Sequence, residues 1–435
     1  TAAVLLGLVC ADEPAPKYSV DLDLPPYQRW SPILREQIAL KGWNNTYKPI
    51  FDFMNQVVPA AIWAKYDDLL VASASPLIGP ELMEEVRGIA DEAVRLGYDV
   101  KVSEMAWFQL FYEILMACTG ILLRDEQGNV LHGRNMDIGL QVGNITAQVD
   151  WIKGNTTVAT TTQYLGYVGV HTGMRLGGWS VQANERFMLT PGPVIGYHKA
   201  MLLATADSFL TGGKPVGRFL REVLLEEATF ASALHPLETV QLGSPMYLVV
   251  GGIDNGTVIA RDRVGLAKWD VDGRRAPRGA AVHSLPRDKW YLVETNWDLW
   301  VNETSSECRQ HMHNLTKAEE TACEDYIRLV YNDKGKCSDL CQSYSDGRRE
   351  VADQALSRMR PTDADPNNLF TVLSTPPVLN GGTAFTSVMS AATGLYNTTV
   401  RSHNPHHAVS AAPTHTHPPT PTRRYRLYTV LSQTK

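Results

Sequence analysis

Apolar and polar positions change period along the chain, and the changes divide it into segments. Residues 12–30 read as extended and proline-containing. From Pro32 to Ala117 the apolar spacing is mainly helical: in Glu81–Leu96 it places Leu82, Val86, Ile89, Ala90 and Val94 on one face. From Cys118 to about 188 the chain turns to β-branched and aromatic residues with period-two stretches, Thr156–Val170 and Trp179–Ala183 among them. Phe209–Leu234 returns to a helical pattern. Met246–Val250 and Val258–Arg261 predict a hairpin about Asp254–Asn255–Gly256, Trp290–Thr295 a strand, and Thr383–Met389 with Tyr396–Val400 a last hairpin. Leu369–Leu373 is too short for its period to decide. A strand-rich middle between helical segments gives the α+β class and leaves the particular fold open.

One hairpin carries chemistry. Ile121–Leu123 and Val130–His132 are strand-like, and Asp125, Gly128 and Asn129 supply the turn. Folded about Glu126–Gln127–Gly128, the hairpin sets Cys118 opposite Met136, flanked by Arg134 and Asp137. A thiol, a guanidinium and a carboxylate are thus brought together locally, and an adjacent cation makes a thiol a nucleophile. The bland reading is a buried structural cysteine beside an ion pair.

The 435 residues suffice for two or three domains, or for one large enzyme that is cut and stays together. Hydrophobic content of 44% and charge of 20% are those of a globular protein, and a net charge of −6 argues against nucleic acid as partner. No run of 18 apolar residues predicts a membrane span. Residues 1–11, TAAVLLGLVCA, resemble the rear of a signal peptide, whose removal would take Cys10; a short buried helix is the alternative. Seven sequons, at Asn44, Asn144, Asn155, Asn255, Asn302, Asn314 and Asn397, suit a glycosylated secretory-route protein. Cys308, Cys323, Cys337 and Cys341 lie in residues 301–344 with His311 and His313 nearby. Their spacing matches no zinc finger, so two disulfides and no metal are expected. The Pro/Thr/His-rich tail, 401–435, reads as disordered.

The string CTGILLRDEQGNVLHGRNMD closely resembles the start of the β-subunit in the family of acid ceramidase and N-acylethanolamine-hydrolysing acid amidase. These are N-terminal-nucleophile hydrolases related to the bile-salt and penicillin V acylases. DLDLPPYQRW (21–30), FYE before the cysteine, GYVGVHTG (166–173), NERF (184–187), VGG and ARDR around 250–263, VETNWDLW (293–300) and VLSTPPVLN (372–380) follow the family order. The resemblance implies a four-layer αββα sandwich, cut between Ala117 and Cys118 into a mainly helical α-subunit (12–117) and a catalytic β-subunit (118–400) that remain a heterodimer. It implies Cys118 as nucleophile and Arg134 as the cation favouring its thiolate. Asp137 would hold the freed α-ammonium. Glu185 matches the family's glutamate, Asn296 the asparagine of the oxyanion hole, and Arg348 the later arginine. No cofactor is implied. The substrate would be a lipid amide, ceramide or an N-acylethanolamine, met in the lysosome or after secretion and presented by anionic membrane lipid or a saposin-type activator. A catalytically silent lipid-binding homologue is the third reading. The chain departs from the family at Gly120, where Ser is usual, and at Trp297, where Tyr is usual. Ala355 stands where acid ceramidase has an intersubunit cysteine.

Overall fold

The computed structural model describes residues 12–57, 60–110, 113, 117–138, 142–186, 204–269, 275–286, 288–300 and 346–402. Its strands are β1 (Glu13–Pro14), β2 (Lys17–Asp21), β3 (Ala117–Arg124), β4 (Val130–Asp137), β5 (Thr146–Lys153), β6 (Thr156–Tyr164), β7 (Thr172–Arg175), β8 (Trp179–Glu185), β9 (Met246–Gly251), β10 (Gly256–Arg261), β11 (Val282–Ser284), β12 (Tyr291–Glu294), β13 (Thr383–Ser390) and β14 (Leu395–Val400). They form a six-stranded sheet in the order β1-β14-β13-β4-β3-β12 and an eight-stranded sheet in the order β11-β10-β9-β8-β7-β6-β5-β2. The β3–β4 hairpin has the register read from its turn: Cys118 pairs with Met136, and Ala117 with Asp137.

The helices are α1 (Ser31–Lys41), α2 (Lys48–Val57), α3 (Ala60–Ile78), α4 (Pro80–Arg95), α5 (Val102–Phe108), α6 (Val216–Glu226), α7 (Phe230–Thr239), α8 (Asp346–Ser357) and α9 (Pro366–Leu373). Side-chain alternation along β3 and β4 builds the layers. Ile121, Leu123 and Leu131 pack with Ala352, Leu356, Leu369 and Leu373 of α8 and α9. Leu122 and Val130 face the other sheet and meet Tyr247, Val249 and Val258. Helices α6 and α7 cover the outer face of the eight-stranded sheet. The result is the αββα sandwich. Residues 12–110 add one edge strand to each sheet, as β1 pairs with β14 and β2 runs parallel to β5.

Several expectations change in detail. Val94 is exposed, and Ala93 takes the buried place; Ala93 is one helical step from Val94, and the small side chain suits the close contact. The strand expected over Thr156–Val170 ends at Tyr164, and the chain turns at Gly166, whose φ of 97° is a left-handed conformation that glycine adopts freely. The helix expected over Phe209–Leu234 is broken. Gly212 turns the chain, Pro215 precedes α6, and Thr229 starts α7 by accepting from the Ser232 amide. The helical segment ends before Ala117, which is already in β3. Leu369–Leu373 is helical, capped by the Asp365 side chain on the amides of Asn367 and Asn368. The four insert cysteines, the 301–344 segment, Asn302, Asn314, residues 1–11 and the tail from 403 lie outside the described residues.

Candidate active site

Strand β4 is buried along its whole length although it carries His132, Arg134, Asn135 and Asp137. Such groups are costly to bury unless each is satisfied. His132 sits between Ser180 Oγ (2.8 Å) and Gln182 Oε1 (3.0 Å), and burial lowers its pKa to about 3, so it is neutral at any physiological pH. Asn135 donates to the carbonyls of Leu373 (2.8 Å) and Val378 (2.9 Å) and accepts from Thr386 Oγ1 (2.6 Å). The remaining two polar residues converge on Cys118.

Cys118 is fully buried at the start of β3. Arg134 Nη2 donates to its Sγ at 3.3 Å, and Arg134 is held in turn by the Ala183 carbonyl at 2.9 Å. The thiol itself lies 3.7 Å from Met136 Sδ. The Cys118 backbone N–H, which belongs to the Ala117–Cys118 peptide bond, donates to Asn296 Oδ1 at 2.9 Å. Arg348, in the first turn of α8, donates to the Cys118 carbonyl (2.8 Å), Thr119 Oγ1 (3.3 Å), Asp137 Oδ2 (3.0 Å) and Asn296 Oδ1 (2.6 Å). Two donors meet Asn296 Oδ1, while its Nδ2 donates to the Glu185 carbonyl at 2.6 Å. This fixes the orientation of the amide: its oxygen, not its nitrogen, faces the Cys118 amide.

The structure therefore joins Cys118, Arg134, Asp137, Asn296 and Arg348 in one buried network and ties in Glu185 through its main-chain carbonyl. Asp137 also accepts from Asn380 Nδ2 (3.0 Å) and Thr383 Oγ1 (2.7 Å). Burial holds its carboxyl above the ordinary value, although Arg348, Thr383 and Asn380 favour the ionised form. Asn380 and Thr383 were not singled out in the sequence; Asn380 closes the VLSTPPVLN string, but nothing local connects it to Asp137. The departure at Gly120 has a steric reason. A Cβ there would lie 2.6 Å from Gln182 Nε2 and 2.9 Å from Val249 Cγ2, so the opposing sheet occupies the space a serine would need. Among the described residues no group of three or more His, Cys, Asp or Glu could hold a metal ion.

A further buried carboxyl stands four residues ahead of the Ala117–Cys118 bond's first residue, in the FYE string. Glu113 Oε1 accepts from the Val216 amide at the start of α6 at 2.6 Å, and its carbonyl accepts from Ser244 Oγ at 2.9 Å. Burial raises its pKa to about 7, against the pull of Val216, Ser244 and Arg263. Because the folded value lies above the unfolded one, the stabilising effect is complete below about pH 4 and is lost as pH rises through 7. The loss amounts to about 3 kcal/mol. Glu113→Gln is expected to remove this slope. Denaturant melts of wild type and variant between pH 4.5 and 8 should converge at the acid end and separate at the alkaline end in the variant's favour. Parallel pH profiles would show that Glu113 does not titrate in this range.

The chain is similar to several known proteins. Residues 13–70 match the model described as the beta subunit of N-acylethanolamine-hydrolyzing acid amidase, and residues 118–253 match that of linear amide C-N hydrolases, choloylglycine hydrolase family. Acid ceramidase of Mus musculus is 28% identical over 407 residues, and that of Macaca fascicularis 29% over 409; each alignment covers 89% of this chain and 86% of the relative. Over most of its length the chain is similar to the acid ceramidase and N-acylethanolamine-hydrolysing acid amidase family. A solved member, the Caenorhabditis elegans N-acylethanolamine-hydrolyzing acid amidase ortholog, is 29% identical with a TM-score of 0.45, covering 63% of this chain and 93% of its own. The protein is an amide hydrolase acting on linear amides. Among its described residues no helix is long and apolar enough to cross a membrane. The described sequon asparagines, Asn44, Asn144, Asn155, Asn255 and Asn397, are all exposed.

Proposed function

We propose that the protein cleaves itself between Ala117 and Cys118 and then uses Cys118 as an N-terminal nucleophile to hydrolyse a fatty-acid amide, ceramide before N-acylethanolamines. The observation that carries this reading is the double hold on Cys118: its thiol on Arg134 and its backbone N–H on Asn296. In the first reaction the thiol attacks the Ala117 carbonyl, its proton passes to the Cys118 nitrogen, and the C–N bond breaks to leave a thioester. Water releases Ala117 as a carboxylate and restores the thiol. The freed α-amine has an ordinary pKa of about 7.7–8.0. It lies beside the sulfur and moves the proton in later turnovers, so no histidine base is needed. Arg134 favours the thiolate. Asn296 Oδ1 and Asp137 offer acceptors for the ammonium. The second N–H of Asn296 Nδ2 has no partner among the described residues and serves the oxyanion. Arg348 locks Asp137, Asn296 and the Cys118 carbonyl into one geometry.

On this reading residues 12–117 and 118–400 form an α/β heterodimer. The enzyme works in the lysosome, with secretion as a second fate. It carries glycans on exposed sequons and meets its lipid substrate on anionic membrane lipid or through a saposin-type activator. Residues 301–344 carry two disulfides. The ethanolamide substrate is the second reading, favoured by the family model that residues 13–70 match. The two are separated by turnover of ceramide and palmitoylethanolamide by cleaved protein at one acidic pH. Faster release of fatty acid from ceramide is expected. A clear preference for the ethanolamide would overturn the substrate, and hydrolysis of neither would favour a silent lipid-binding role.

A further inference from the structure

Asn296 lies just past the end of β12, in the six-stranded sheet, while Glu185 ends β8 in the eight-stranded one. No strand pairing joins these two ends. Three side-chain ties do so in sequence. Asn184 Nδ2 donates to the Thr295 carbonyl at 2.9 Å. Asn296 Nδ2 donates to the Glu185 carbonyl at 2.6 Å. Arg186 grips Asp298 with both arms, Nε to Oδ1 at 2.7 Å and Nη2 to Oδ2 at 2.9 Å. The Arg186 and Asp298 side chains are both completely buried. The pair is braced from outside the ladder. Tyr247 Oη donates to Asp298 Oδ1 at 2.8 Å, and Arg186 Nη1 donates to Asp262 Oδ1 at 2.8 Å. The guanidinium also lies 5.7 Å from the Trp300 ring centre.

We propose that Arg186 and Asp298 are positioning residues for the amidase reaction, clamping the Asn296 loop of one sheet to the end of β8 in the other so that Asn296 meets the Cys118 nitrogen. This rests on the role given to Asn296 above. A buried ion pair is a poor device for stability, since the cost of desolvating both charges offsets their attraction. A two-pronged arginine–carboxylate contact is, however, exacting in direction and distance. Here it sits two residues beyond Asn296 on one side and one beyond Glu185 on the other. Asn296 Oδ1 must meet both the Cys118 N–H and Arg348 Nη2, and a small slip of the loop spoils both contacts.

The test is a double-mutant cycle on the full, self-cleaved protein, with a fatty-acid amide it hydrolyses as the probe. Asp298→Asn keeps the size of the side chain and removes its charge. It is expected to lower kcat by roughly 10- to 100-fold with KM held within about threefold, the signature of misplacement rather than lost substrate binding. In an Asn296→Ala background the same change should cost less than about twofold, because the group through which it acts is gone. Arg186→Lys keeps a charge pair but loses the fork, and guards against a misfolded Asp298→Asn; it should show the same loss and the same dependence on Asn296. Losses that multiply in the double variants, or a rise in KM at unchanged kcat, would overturn the clamp. If Asn296→Ala leaves kcat unchanged, the role of Asn296 falls, and the clamp with it. If Asn296→Ala lowers kcat but the losses multiply, only the clamp falls.

Discussion

Cys118→Ala is expected to give a folded chain that remains in one piece and hydrolyses no amide. The side chain is buried and small, so its loss costs little packing, and β3 keeps its register with β4. What disappears is the one atom placed 3.3 Å from Arg134 and within its own residue of the Ala117–Cys118 bond. Both proposed reactions use that atom, so both should stop together. Cys118→Ser separates chemistry from shape: the hydroxyl fills the same place but is far less acidic, and Arg134 cannot make it an anion at acidic pH. A loss of at least about 100-fold in both self-cleavage and turnover is expected from the poorer nucleophile. Denaturing gels report the cleavage and fatty-acid release reports the turnover. An alanine variant that still hydrolyses substrate would place the nucleophile elsewhere.

Glu85→Ala is expected to destabilise the protein by about 3–5 kcal/mol, because it strands buried positive charge. Glu85, in α4, accepts from Arg221 of α6 with both oxygens (2.6 Å each), from Trp30 Nε1 (2.7 Å) and from Arg29 (2.7 Å). Arg221 in turn lies 4.4 Å over the Trp151 ring, and Trp151 meets Trp30 edge-on. The cluster therefore joins residues on opposite sides of the Ala117–Cys118 bond. Burial works against the Glu85 charge, but Arg221, Trp30 and Arg29 outweigh it and hold the carboxyl below its ordinary value. For a depressed carboxyl the stabilisation is present above the unfolded pKa, about 4.3, and is lost only as pH falls through the lower folded value. The pieces of a cut chain should thus stay together at about pH 5. The same wild-type material should elute as one species before and after cutting, while cut Glu85→Ala should separate into two. Unchanged melting and elution of the variant would mean that the α4–α6 contact does not hold the pieces.

The parts of this arrangement that were legible in the sequence are those set by near neighbours. The turn at Asp125–Asn129 and the two-residue period of its strands are enough to put Cys118 opposite Met136 and beside Arg134 and Asp137. Asn296 and Arg348 reach Cys118 from 178 and 230 residues away. No periodicity encodes such contacts, so only the family resemblance points to them, through VETNWDLW for Asn296 and through the later arginine for Arg348. Asn380, Thr383 and the Arg186–Asp298 pair were missed for the same reason, even though three of these residues stand in or beside strings already quoted. The helical apolar spacing points to Val94, the stronger hydrophobe, whereas the structure buries the smaller Ala93 one residue away and leaves Val94 exposed. The break in Phe209–Leu234 is written in the sequence as Gly212, Gly213 and Pro215, which interrupt an otherwise helical apolar pattern.

The proposed function requires that Cys118 become the amino terminus of the working enzyme. Its most direct test is N-terminal sequencing, with intact mass, of purified chain held at acidic pH until amide hydrolysis reaches its plateau. The prediction is a new amino terminus at Cys118, appearing in step with activity. Full activity in an uncut chain, or in one whose new terminus lies at any other residue, would contradict it.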